Sequence, residues 1–596
     1  MNFFKQTLAS LVGTLAGLLL FATLGVGSLV LLLMTLATLD SGPTVKDKSV
    51  LVFDLSTQIQ DREPPITWGE IFASDEQSIL TLRQVVEAIE KATKDSRIQA
   101  IFLDGGEASD GSGYAVFAEV REALTKFKKS GKKIIAYDVT LSEQEYYLSS
   151  LADSLIVNPL GLIEMNGLGI EPLFWTGALD KYGIGVQVVR VGDYKSAVEP
   201  FIRTSLSTEN REQLEGLLTT IWGDYLNSIE KSRKIAPNIL QNVADTQGIL
   251  DPKDGKKLGL IDQVGYRDQA IGQLKEITNN KNEALRQVSL GTYTKVAVPE
   301  VTKQSSDNQI AVVYAQGTIV DGEGTVQQIG ANSFASLLRK VRENEAVKAV
   351  VIRINSPGGS ATASEIILRE VQLIQEKKPV IISMGNVAAS GGYWIATGGQ
   401  HIFAQPNTVT GSIGVFGLLF NLQEIANNNG ITWDVVKTGE LANLSTVTRP
   451  KTDQELAIYQ KSVSQIYNLF LEKVAKSRNL SKAQVADLAQ GKVWSGKEAK
   501  KIGLIDSFGG LESAISYAAE QTKLGEDWEV VEYPKSRGLT ELFVKKTLDE
   551  ETKAMIVSQD PIMQELLKVK DELTVIGSFN DPRGIYFRLP FNWQLH

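Results

Sequence analysis

The sequence predicts an α/β protein built as a tandem duplication of one parallel-sheet unit behind a single apolar N-terminal helix. Three observations carry this. The 34 residues from Gln6 to Leu39 contain no charge, more than the roughly 20 residues a helix needs to cross about 30 Å of hydrocarbon. Short apolar runs ending in glycine alternate with helical stretches such as "ASEIILREVQLIQEKK", the pattern of strands joined by crossover helices. The chain also resembles itself: Ile98 matches Val347, Tyr146 matches Tyr393, Val188 matches Val435 and Lys256 matches Lys500, at offsets of 249, 247, 247 and 244 residues. Chance matches do not keep their order at nearly constant spacing.

From the N-terminus, residues 1–48 read as a membrane anchor with its span at about 8–38. A cleaved signal peptide has an apolar core of only about 7 to 15 residues and a small-residue cleavage site, so an uncleaved helix is expected. Lys5 precedes the span while Lys46 and Lys48 follow it among aspartates, so charge leaves the orientation open. Residues 49–295 form the first copy and 296–525 the second, with the polar "TKQSSDNQ" from Thr302 to Gln309 at the seam. The tail, 526–596, has no counterpart and is given no role.

Composition narrows the function. A net charge of -9 and a pI near 5.3 argue against a nucleic-acid partner, whose phosphates draw affinity from basic surface. With no cysteine there is no thiol nucleophile and no Cys-ligated zinc, and the two histidines, His401 and His596, leave little for a His-based metal site. No cofactor or metal is implied.

The stretch "GNVAASGGYW", Gly385–Trp394, holds one serine, Ser390, between small residues that let a reacting group come close. A serine needs a base to remove its proton. His401, beside "IFA", reads as a strand residue, so the base is sought elsewhere, and the repeat serves as an internal control. At the offset of 247, Ser390 falls opposite Glu143 and Lys195 of "VGDYKSAVEPF" falls opposite Ala442. Each copy keeps what the other lost, as when one active site is divided between two copies. Lysine acts as a base only when neutral, and burial without a carboxylate lowers its pKa by up to about 3 to 5 units. "NSPGG", Asn355–Gly359, ends a strand with open amides suited to an oxyanion, as do the N-H groups after Ser390.

"GDYKSAVEPF", "SPGG", "GNVAASGGY" and "TGSIGV", in this order, resemble the signal peptide peptidase A family in its long, two-repeat form, from the anchor to about residue 525. The resemblance implies a crotonase-like or Clp-protease-like fold and a Ser/Lys dyad that cleaves hydrophobic peptides left in the membrane after signal-peptide removal. It also implies Ser390 as nucleophile, Lys195 as general base, Ser412 as the hydroxyl orienting the lysine, and Gly358, Gly359 and Gly391 as the oxyanion region. A ring-like homo-oligomer, commonly a tetramer, is implied too, with catalytic domains outside the cytoplasm, in the periplasm or in the lumen of an internal membrane.

Other readings rest on less. Ser228–Lys231 ("SIEK"), Ser306–Asn308 ("SDN") and Lys437–Gly439 ("KTG") match the motif set of penicillin-binding proteins. "SIEK", however, lies late in a helical pattern, where that chemistry wants its serine at a helix start. The non-enzymatic alternatives are an inactive crotonase-like membrane scaffold and an acyl-CoA-binding protein.

Overall fold

The computed structural model describes residues 43–62, 79–106, 112–298, 306–534, 581 and 584–589, with seven further positions between 13 and 27. The expected span at 8–38 lies almost wholly outside these residues, and among the described ones no helix is long and apolar enough to cross a membrane.

The first copy opens with strands β1 (Ser49–Asp54), β2 (Ile98–Asp104), β3 (Lys133–Leu141) and β4 (Ser154–Met165), linked by helices α1 (Leu82–Lys94), α2 (Tyr114–Lys129) and α3 (Glu143–Ser149). It continues with β5 (Gly185–Val191), α4 (Thr208–Arg233), β6 (Gly248–Leu250), β7 (Gln263–Val264), α5 (Arg267–Ile277) and β8 (Gln287–Ser289). The second copy begins with β9 (Gln309–Gln316), β10 (Thr318–Val320), β11 (Gln328–Gly330), α6 (Ala331–Glu343), β12 (Val347–Ser356), β13 (Gly358–Ser360) and α7 (Ala361–Gln375). Then follow β14 (Val380–Ala389), α8 (Gly391–Ala396), β15 (His401–Ala404), β16 (Val409–Gly411), β17 (Val415–Asn421) and α9 (Asp453–Arg478). The last elements are β18 (Val493–Ser495), β19 (Ser507–Phe508), α10 (Leu511–Thr522), β20 (Glu529–Tyr533) and β21 (Ile585–Arg588).

The two copies are wired alike. The first sheet runs β8-β1-β2-β3-β4-β6 with β7 also on β4, and the second runs β20-β9-β12-β14-β16-β18 with β15 on β14 and β19 on β15. β15 and β16 are the long β4 divided in two. β20 closes the second sheet as β8 closes the first, so the second copy continues past residue 525 and takes in the start of the tail. The central strands are apolar on both faces, as buried parallel sheets require: Ile310 to Ala315 of β9 are all buried. α4 and α9 each run 26 residues and stop at a left-handed residue, Lys234 at φ 62° and Asn479 at φ 53°. The tyrosines that set the sequence offset do the same work in each copy: the Tyr146 hydroxyl donates to the Leu260 carbonyl at 2.9 Å and that of Tyr393 to Leu504 at 2.8 Å.

A third sheet, β11-β10-β13-β21-β17-β5, draws on both copies. β5 of the first pairs antiparallel with β17 of the second, from Val191 opposite Val415 to Gly185 opposite Asn421. A buried ion cluster adds a second tie: Arg353 on β12 meets Asp61 at 2.9 Å and Glu119 at 2.8 Å, both from the first copy.

Candidate active site

Three turns at strand ends bring the site together. The first follows β14. There Ser390 has φ 55° and ψ -111°, a conformation that costs a non-glycine residue on the order of 1–3 kcal/mol and persists only where its surroundings enforce it. Its N-H donates to the Gly411 carbonyl at 2.8 Å, and its own carbonyl accepts from Trp394 N-H at 2.8 Å, opening α8. Gly392 has to be small, since a Cβ there would sit 2.9 Å from the Ser356 carbonyl oxygen. The second turn follows β16, where Ser412, at φ 51°, donates its N-H to the Lys492 carbonyl at 2.7 Å.

The third turn follows β5 and carries Lys195 out of the first copy. Gly192, at φ 105°, makes the bend, and Tyr194 N-H donates to the Gln490 carbonyl of the second copy at 3.0 Å. The lysine stem then lies against two glycines: a Cβ on Gly491 would be 2.6 Å from the Lys195 Cβ, and one on Gly414 would be 3.1 Å from its Cδ. Gln213 of α4 secures the turn, donating to Ser196 Oγ at 2.8 Å and accepting from Val493 N-H at 3.2 Å.

The result is a closed triangle. Lys195 Nζ lies 2.7 Å from Ser390 Oγ, 3.0 Å from Ser412 Oγ and 3.1 Å from the Ser412 carbonyl oxygen. All three residues have 0% exposure. Burial alone holds the Lys195 ammonium well below the usual lysine range. Nζ donates to all three oxygens, that of the Ser390 hydroxyl and the hydroxyl and carbonyl oxygens of Ser412. The glycines expected around an oxyanion also converge. Gly358 has φ 98°, and a Cβ on Gly391 would lie 3.2 Å from the Gly359 nitrogen and 3.2 Å from the Gly358 Cα.

The remaining sequence candidates lie apart from this site. His401 packs between Phe403 and Tyr517, with its Nε2 3.0 Å from Ser507 Oγ, on β15. Ser228 is inside α4, bonded to the Asp224 carbonyl, while Lys437–Gly439 sits in an exposed loop with Ala442. Glu143, opposite Ser390 in the repeat, accepts from the N-H groups of Asn166 and Gly167 at 2.6 and 2.8 Å, and its burial pushes it up to about 7. Sequence reasoning passed over Gly414, Gly491 and Gln213, which hold the lysine turn, because Gly414 and Gly491 meet Lys195 from the other copy and Gln213 joins Ser196 to Val493 of the other copy. It also passed over "GIYFRLPF", Gly584–Phe591, an apolar-aromatic run in the tail that could have been read as a strand.

The chain is similar in sequence to known proteins. A family model described as Peptidase family S49 matches residues 126–281 and 372–525, and one described as Clp protease matches 302–410. Protease 4 of Haemophilus influenzae is 33% identical over 580 residues, 94% of this chain and 94% of that protein. Protease 4 of Salmonella typhi is 33% identical over 534 residues, 86% of this chain and 84% of that one. The chloroplastic serine protease SPPA of Arabidopsis thaliana is 35% identical over 504 residues, 84% of this chain and 73% of that protein.

Proposed function

The chain belongs to peptidase family S49 and is a serine peptidase of the signal peptide peptidase A type in its long, two-repeat form, and from that premise we propose that it is a membrane-anchored endopeptidase cleaving hydrophobic peptides, cleaved signal peptides among them, with a Ser390/Lys195 dyad. The 2.7 Å approach of Lys195 Nζ to Ser390 Oγ, both residues fully buried, carries this reading.

In this mechanism Ser390 Oγ attacks the carbonyl carbon of the scissile bond as its proton passes to Nζ. The oxyanion is held by the N-H groups of Gly359 and Gly391, because that of Gly358 already donates to Ser356 Oγ at 3.2 Å. Collapse breaks the C-N bond, and the lysine ammonium returns the proton to the leaving amine. Water then attacks the acyl-enzyme, with Lys195 again taking the proton, and Ser390 is released with the acid product. Ser412 keeps Nζ aimed throughout.

The apolar segment 8–38 anchors the chain, with the catalytic copies on the non-cytoplasmic side. A homo-oligomer is supported by an unfulfilled symmetry. β5 pairs with β17 inside the chain, yet their repeat counterparts, 432–438 and 168–174, belong to no strand, and 432–438 is wholly exposed, with Trp433 and Val435 each 46% exposed. Pairing of 432–438 with 168–174 of a neighbouring copy would be head-to-tail, the kind of contact that builds a ring when the rotation between copies closes. Labelling of Ser390 by a fluorophosphonate, lost in Ser390→Ala, together with dyad-dependent hydrolysis of hydrophobic peptides in detergent, tests the enzymatic reading. A chain that hydrolyses peptide equally well as Ser390→Ala would sink it. Native mass spectrometry tests the ring.

A further inference from the structure

A lysine on one copy serves a serine on the other only if their turns are held in fixed register, because a misplacement of about 1 Å can cost a hundredfold in rate. Residues 490–494 of the second copy form the seat. The Gln490 carbonyl accepts from Tyr194 N-H at 3.0 Å, the Gly491 backbone lies against Lys195, and the Lys492 carbonyl accepts from Ser412 N-H at 2.7 Å. These are backbone contacts, and none of them requires a lysine at 492.

The Lys492 side chain adds a tie of its own. Its Nζ stands 4.8 Å from the centre of the Tyr194 ring and 4.9 Å from that of Trp494, within the roughly 6 Å over which an aromatic face attracts a cation. Tyr194 immediately precedes Lys195. Trp494 is fixed by its Nε1, which donates to the Leu488 carbonyl at 3.0 Å, and it packs on Gly411, where a Cβ would sit 2.7 Å from the Trp494 Cδ1. Gly411 in turn holds Ser390, accepting its N-H at 2.8 Å. One ammonium therefore bridges the residue beside the lysine and the ring behind the serine turn. Glu212 of α4 lies 3.5 Å from the same Nζ but is 60% exposed, so solvent screens its share.

The repeat again serves as a control. At the offsets of 244 and 247, Lys492, Trp494 and Tyr194 fall opposite Gly248, Leu250 and Leu441, so the cation and both rings are absent from the counterpart positions. β6 still pairs with β4 there, so the sheet does not need them.

We propose that Lys492 is a positioning residue for peptide hydrolysis: its ammonium, held between the rings of Tyr194 and Trp494, pins the lysine turn of the first copy to the serine turn of the second. It acts through these neighbours, not on the scissile bond. The proposal rests on the dyad reading, and the two fail separately.

The experiment compares the full-length parent with Lys492→Met, Lys492→Arg and Tyr194→Leu in detergent on a fluorogenic hydrophobic peptide, with Tm as the check on folding. Methionine keeps the apolar stem and removes the charge, so Lys492→Met should lower kcat about tenfold and leave KM within about twofold. A loosened turn also admits water to the Lys195 amine, which favours its charged form, so the ascending limb of kcat/KM should move to higher pH. Arginine also stacks on aromatic faces, so Lys492→Arg should restore most of kcat and the parental midpoint. Tyr194→Leu should reproduce Lys492→Met, and the double variant should lose little more than either single one, since both break one contact. The proposal is overturned if Lys492→Met keeps the parental kcat or midpoint, or if Lys492→Arg loses as much as Lys492→Met. Should Lys492→Met not fold, Tyr194→Leu decides by the same two measurements. Hydrolysis that survives Ser390→Ala defeats the dyad reading instead, whatever Lys492 does.

Discussion

Lys195 is unusual because the protein keeps it where a lysine is least stable. No carboxylate among the described residues offsets its burial, so its folded pKa lies well below the unfolded value. As pH falls, the unfolded chain takes up that proton first, which favours unfolding from about pH 10.4 downward until the folded pKa is reached. Lys195→Met should therefore have a higher Tm than the parent near neutrality, with the gap closing above pH 10.4, measured by calorimetry across pH. The same variant should lose about a thousandfold or more in kcat/KM. For the parent, kcat/KM should rise with pH through one limb whose midpoint lies well below a free lysine's, and a flat profile from pH 5 to 9 would argue against lysine as the base. Ser390 and Lys195 were legible as a pair because the repeat exposed a reciprocal loss. The φ of 55° at Ser390 was not, since nothing in "AASGG" distinguishes a strained turn from a relaxed one.

At the scale of elements, duplication made lengths and order readable while partners stayed hidden. α4 and α9 have equal length because their caps and left-handed stops recur in both copies. The pairing of β5 with β17, by contrast, crosses between copies, and no local pattern in "GVQVVRV" announces its partner. The turn at Gly491 is the test of how tightly such partners constrain the chemistry. Its φ of 80° and the nearness of Lys195 leave no room for a methyl group. Gly491→Ala should shift Nζ from Ser390 and cut kcat roughly a hundredfold, with KM little changed. Tyr393→Phe should cost about 1–3 kcal/mol of stability by leaving the buried Leu504 carbonyl without its donor. Thermal unfolding measures the second and steady-state kinetics the first.

At the scale of the whole molecule, Lys195 of the first copy and Ser390 of the second meet at 2.7 Å, and in the proposed mechanism each copy supplies half of the active site. Fragments 46–295 and 296–596 should be inert separately and recover hydrolysis when co-expressed, and activity in 296–596 alone would mean that Ser390 has a base other than Lys195. Arg353→Met should lower stability by about 3–5 kcal/mol, read from thermal or denaturant unfolding, because Asp61 and Glu119 would remain buried without their cation. The sequence by itself determined the duplicated α/β architecture, the acidic surface and the residue types of the site, because periodicity, repeat spacing and composition are local or self-referential signals. It could not show which strands join the copies, what closes around the lysine, or that a tail strand, β21, pairs between β13 and β17. Those depend on backbone hydrogen bonds and packing between segments hundreds of residues apart, and pairing of that kind is decided only when the chain folds.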